Sequence, residues 1–214
     1  MVSTDRTALV LLVLVAVLAF ALGIHFAHRA APEAAAPVEG MLWPDPPRME
    51  AFALDGANGK PLTEATLRGK WTLLFFGFTH CPDVCPTTLA TLREVVKLLD
   101  DTPGFARHGQ IIFVSVDPDR DTPDALARYV EHFGRDFLAA TAPPDRLAAL
   151  TRQLGILHTR VPLGSGEEYS VDHTASILLI GPGLERLAIF SAPHAAPDLA
   201  AKIGQIIQFL QDST

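Results

Sequence analysis

The 214-residue chain contains two cysteines, Cys81 and Cys85, four apart in Thr79-His80-Cys81-Pro82-Asp83-Val84-Cys85-Pro86. A bridge across so short a loop removes little freedom from an unfolded chain, so chemistry explains the pair better than architecture does. With three residues between them, both sulfurs sit near one face across about a turn of helix, where they can close a disulfide or chelate a soft ion. The apolar run Trp71–Phe76 (WTLLFF) precedes the motif, and Leu89, Leu92, Val95, Val96 and Leu99 follow it at helical spacing. A buried strand is therefore expected to hand over to a helix at the cysteines. The positive end of that helix favours thiolate, which is both the nucleophile and the metal-binding form.

Two thiolates leave a soft-metal site incomplete, and a neutral imidazole suits either oxidation state of copper as a further ligand. The chain has eight histidines. His25 and His28 lie at the end of an apolar N-terminal run, His108 and His132 have no polar partner nearby in sequence, and His158 reads as a strand residue. His80 adjoins Cys81 and could tune the thiols or pack. His194, in a late Pro-containing loop, is a minor candidate for an accessory ligand. His173 stands out: it lies in Val171-Asp172-His173-Thr174-Ala175-Ser176, just before an apolar strand, and in a thioredoxin-like arrangement that loop faces the cysteine loop. Asp172 is read as a partner of the histidine or a strand-end cap, because a hard carboxylate suits soft Cu(I) poorly. Asp117, Asp119 and Asp121, interspersed with Pro118 and Pro123, are read as turn and helix-cap residues.

The elements that must position these groups follow from periodicity. Alternation around Asp55, Gly56, Asn58 and Gly59 predicts an opening hairpin from Met49. Ile111–Val116 is a second buried strand, and Thr122, Pro123 and Asp124 open a helix carrying Leu126, Tyr129, Val130 and Phe133. Together with the first strand and helix this predicts a βαβ unit with a parallel strand pair. A helix is expected over Pro144–Leu154, a loop or exposed hairpin tip over Val161–Tyr169, strands at Ala175–Ile180 and Leu187–Phe190, and a closing helix through Ile203, Ile206, Ile207 and Leu210. That order is an α/β, thioredoxin-like fold: a mixed central sheet flanked by helices.

Ahead of it, Ala8–Ile24 carries no charge and no proline. At roughly 1.5 Å per residue it nearly crosses a bilayer core of about 30 Å, and it is longer than the apolar run of a usual signal peptide. An uncleaved transmembrane helix is expected over residues 1–27, an Ala/Pro-rich tether over 28–48 and one globular domain over 49–214. The formal charge of −7 and the lack of a basic, aromatic-interleaved cluster argue against a nucleic-acid partner.

Three segments now combine: GFTHCPDVCPTTL (Gly77 to Leu89), SVDPDRDTP (Ser115 to Pro123) and VDHTASILLIGP (Val171 to Pro182). In that order they resemble the signature blocks of the Sco/SenC family, and with the N-terminal run the resemblance covers essentially the whole chain. It implies a copper metallochaperone in which Cys81, Cys85 and His173 hold one copper ion for the binuclear copper centre of cytochrome c oxidase subunit II or a related copper protein. An upstream copper donor and a thiol reductant would then be further partners. It also implies a domain facing the periplasm, or the intermembrane space in a mitochondrion. The absence of a long Arg- and Ser-rich presequence favours a bacterial cytoplasmic membrane. Ala175, Ser176 and the Gly181-Pro182-Gly183-Leu184 turn depart from the family pattern without touching an implied ligand. The alternative from another class is a membrane-anchored thiol-disulfide oxidoreductase, in which Cys81 and Cys85 are the redox-active pair.

Overall fold

The computed structural model describes residues 6–29 and 37–212. Two compact units are separated at Ala35/Ala36. In the first, α1 (Arg6–Arg29) is a helix of 24 residues. Its side chains are described for residues 8–23, all exposed, and no helix among the described residues is long and apolar enough to cross a membrane. Residues 1–5 of the expected anchor and 30–36 of the expected tether lie outside the described residues.

The second unit runs β1 (Ala53–Gly56), β2 (Pro61–Thr63), α2 (Glu64–Leu67), β3 (Trp71–Gly77), α3 (Val84–Leu98), α4 (Phe105–His108), β4 (Gly109–Ser115), α5 (Pro123–Glu131) and β5 (Leu138–Thr141). It continues with α6 (Pro144–Leu154), β6 (His158–Pro162), β7 (Tyr169–His173), β8 (Ile177–Ile180), β9 (Arg186–Phe190) and α7 (Ala196–Asp212). Seven strands form one sheet in the order β2-β1-β5-β4-β3-β8-β9, while β6 and β7 pair separately.

Every residue of β3 is buried, which is why its sequence, Thr72 apart, is apolar rather than alternating. It pairs in parallel with β4 from Trp71↔Gly109 to Gly77↔Ser115, so the two C-terminal ends, and the loops that follow them, lie side by side. On its other flank β3 pairs antiparallel with β8, Phe75 opposite Ile177. The chain just before Ile177 therefore arrives at the same end of the sheet as the cysteine loop. Helix α3 packs against α7, and α5 against β5. Phe75, Phe76, Phe113, Leu89, Leu92 and Leu126 are among the fully buried side chains between these layers.

The expected opening hairpin (β1/β2), parallel pair (β3/β4) and closing pair (β8/β9) are present. Strand β5 was not anticipated: Leu-Ala-Ala-Thr is short and half alanine, and its place between β1 and β4 is fixed by neighbours rather than by local preference.

The expected tether also differs from the structure, because residues 37–48 belong to the globular unit. Leu42 N–H donates to the Leu187 carbonyl at 2.7 Å, Ile189 N–H to Gly40 at 2.9 Å, and Arg186 N–H to Pro47 at 2.8 Å. Val38 and Met41 are buried, and the Trp43 ring meets Phe209 edge-on with centroids 4.9 Å apart. Gly40 has φ of +83°, and a Cβ there would come within 2.7 Å of the Ile189 carbonyl, so glycine permits the close approach. The segment covers the outer edge of β9, a polar row that otherwise invites pairing with other chains. A chain begun at Met49 should consequently unfold roughly 10 °C below one begun at Pro37. Thermal denaturation followed by circular dichroism measures the difference.

Candidate metal and thiol site

Gly77 ends β3, and a turn carries the chain through Cys81 into α3, with Cys85 in its first turn. Asp83, at the cap position, makes no side-chain cap bond. Instead the Cys85 backbone N–H donates to Cys81 Sγ at 3.4 Å, so a sulfur occupies the place at the helix N-terminus that a capping oxygen usually takes. Cys81 is half-buried and Cys85 buried, both as free thiols. Cys85 Sγ presses on the end of the strand: a Cβ on Gly77 would lie 2.6 Å from it and 2.8 Å from the Phe113 ring.

His173 closes β7 and brings its Nε2 to 3.4 Å from Cys85 Sγ. The ligand atoms of Cys81, Cys85 and His173 all lie within 4.8 Å of one another. Nδ1 of His173 is 3.2 Å from the Thr174 carbonyl oxygen. A carbonyl only accepts, so the ring proton sits on Nδ1 and the lone pair of Nε2 faces the sulfurs. Phe75 and Phe78 hold the ring edge-on, with centroids 6.2 and 5.9 Å away. Burial lowers the His173 pKa, partly offset by the Thr174 carbonyl and Asp172, so the imidazole keeps a free lone pair at neutral pH.

The sequence led us to expect activated thiols, and for Cys85 the structure reverses this. Burial, the largest influence, pushes its thiol well above the ordinary range, and the Phe78 backbone N–H offsets only part of that. The loss of water outweighs the helix terminus here. Asp172 is exposed and does not orient the histidine, a task taken by the Thr174 carbonyl. His194 Nε2 lies 3.0 Å from the Ala175 carbonyl, so its ring is engaged away from the cysteines. His80 has a largely exposed side chain, with Nδ1 3.1 Å from the Thr79 hydroxyl.

The aspartates of the second block do more than shape a turn. Asp121, fully buried, accepts from the Thr79 backbone N–H at 2.9 Å, the Thr79 hydroxyl at 2.5 Å and the Ser115 hydroxyl at 2.5 Å. It ties the loop after β4 to the cysteine loop. Asp117, equally buried, accepts from Arg120 Nε at 2.5 Å and the Tyr169 hydroxyl at 2.8 Å. These roles were missed because nothing in the local sequence distinguishes a buried aspartate from one in an open turn; the single available cue was the density of acidic residues directly after an apolar strand. Asp119 is exposed and pairs with Arg160, and Thr122 caps α5 through the Ala125 N–H.

A sheet whose central strand ends at two cysteines, with a histidine brought across from a separate hairpin, defines a thioredoxin-like domain equipped for thiol and soft-metal chemistry. The SCO1/SenC family model matches residues 44–208, and the chain belongs to that family. The mitochondrial SCO2 homolog of Bos taurus is 40% identical over 131 residues, 61% of this chain and 49% of the relative; the chain thus spans about half the length of that relative. Among solved structures, Arabidopsis thaliana ScoI with copper bound aligns with a TM-score of 0.70 at 30% identity, covering 74% of this chain and 97% of that one. Bradyrhizobium japonicum ScoI with copper bound gives 0.65 at 33%, covering 75% and 99%.

A metal that takes Cys85 as a thiolate must displace the proton that burial holds there. Below the thiol pKa, apparent affinity should rise about tenfold per pH unit for each proton displaced. Titration calorimetry in buffers of different ionisation enthalpy counts the protons released; zero release between pH 6 and 8 would contradict the assignment.

Proposed function

We propose that this protein is a copper metallochaperone that holds one copper ion through Cys81, Cys85 and His173. On this reading it delivers the ion to the binuclear copper centre of cytochrome c oxidase subunit II or a related copper protein. The observation that carries the reading is the convergence of two sulfurs and an unprotonated imidazole nitrogen within 4.8 Å, a donor set suited to both oxidation states of copper. Membership of a family with copper-bound members supports the same cargo. Half-burial of Cys81 beside a buried Cys85 suits transfer by ligand exchange, since an incoming donor can replace Cys81 while Cys85 and His173 still hold the ion.

The same asymmetry supports a second reading. A thiol-disulfide oxidoreductase needs an accessible sulfur to attack a target disulfide and a neighbour to resolve the mixed intermediate. Cys81 and Cys85 fit those roles, and that chemistry has no need of His173. Reduced full-length protein titrated with Cu(I) against a competing chelator should bind one equivalent, and His173→Ala should weaken binding at least tenfold or so. Affinity indifferent to His173 would instead favour disulfide exchange.

We further propose that the apolar N-terminal sequence anchors the chain in a bacterial cytoplasmic membrane, with the globular unit in the periplasm. The uncharged, proline-free run Ala8–Ile24 of the sequence supports this. The full chain should stay with membranes through an alkaline carbonate wash, and a chain begun at Pro37 should not.

A further inference from the structure

The main sheet does not hold the hairpin that carries His173. Among the described residues, strands β6 and β7 pair only with each other, and a lone two-stranded hairpin is marginally ordered in water. Along β7, Tyr169, Val171 and His173 alternate onto one face. Val171 is buried, His173 meets Cys85, and the Tyr169 hydroxyl donates to buried Asp117 at 2.8 Å.

Arg120 completes the fastening. Its Nε donates to Asp117, its Nη1 donates to the Tyr169 carbonyl at 3.0 Å, and its guanidinium carbon lies 3.8 Å from the Tyr169 ring centroid. The other strand is gripped as well, because Arg160 of β6 reaches the same ring at 4.8 Å and donates to Asp119 at 2.5 Å. Arg120 also sits 5.8 Å from the ring of Phe78, the residue that packs on His173. Body and hairpin are thus joined by polar groups as well as by buried Val171.

We propose that Asp117, Arg120 and Tyr169 are positioning residues: by clamping the hairpin they set the fraction of time His173 Nε2 is presented to Cys81 and Cys85. This rests on the copper reading above. An ion that needs all three donors sees its affinity reduced by the fraction of molecules in which the imidazole is away, so loosening the clamp weakens binding without touching a ligand.

The test is a double-mutant cycle on the full chain in detergent, with Cu(I) affinity measured by chelator competition. Tyr169→Phe removes the hydroxyl and leaves the ring under Arg120, and its melting temperature reports on folding. It should weaken binding about fivefold in the wild-type background and have no effect on top of His173→Ala. The Cu(II) electron paramagnetic resonance spectrum of Tyr169→Phe should contain a component that overlays that of His173→Ala. Unchanged affinity for Tyr169→Phe, or an equal loss in both backgrounds, overturns the clamp while leaving His173 a ligand. Unchanged affinity for His173→Ala defeats the ligand assignment, and the clamp with it.

Discussion

The site depends on the register of β3. Because Phe75 stands opposite Ile177 on one side and Gly77 opposite Ser115 on the other, three separate stretches of chain leave the sheet at one end: the cysteine turn, the aspartate loop and the segment behind His173. A slip of one residue in either pairing would turn the side chains of the shifted strand to the opposite face. The buried aromatic residues of β3 and β4 make such a slip costly, so the core that stabilises the sheet also brings to one end of it the chain segments that carry a thiol and an imidazole 88 residues apart.

Two buried carboxylates then convert proximity into order. An unpaired carboxylate loses far more on leaving water than one hydrogen bond returns. Here Asp117 has a guanidinium and a phenol, and Asp121 has a backbone N–H and two hydroxyls. Each set of donors comes from more than one segment, so the requirement to satisfy the charge is also a requirement that the segments meet. An apolar contact would tolerate sliding; these do not, because hydrogen bonds weaken steeply with misalignment.

What the sequence reveals and what it hides divides along the range of the interactions. Trp71–Phe76, Ile111–Val116 and Pro144–Leu154 were legible because each element's apolar pattern is local. Cys81, Cys85 and His173 were legible as candidates from residue type and from three recognisable blocks. Their mutual distance was not, since it is set by strand pairing and side-chain contacts between residues far apart in the chain. The same holds for residues 37–48, which read as an Ala/Pro-rich linker until β9 supplies partners for their backbone groups, and for β5, whose alanines acquire a strand conformation from their neighbours. The raised pKa of Cys85 was inaccessible for a related reason: a helix start is visible in sequence, whereas the depth at which it is buried is not.

The strap over β9 bears on how copies of this protein meet one another. With that edge already paired, the opposite edge of the sheet is β2, only three residues long, and too short a template for another strand to zip onto. The edges of the seven-stranded sheet thus offer a colliding copy little backbone to seize. Half-buried Cys81 thus belongs to a domain whose main sheet does not itself template contact between copies.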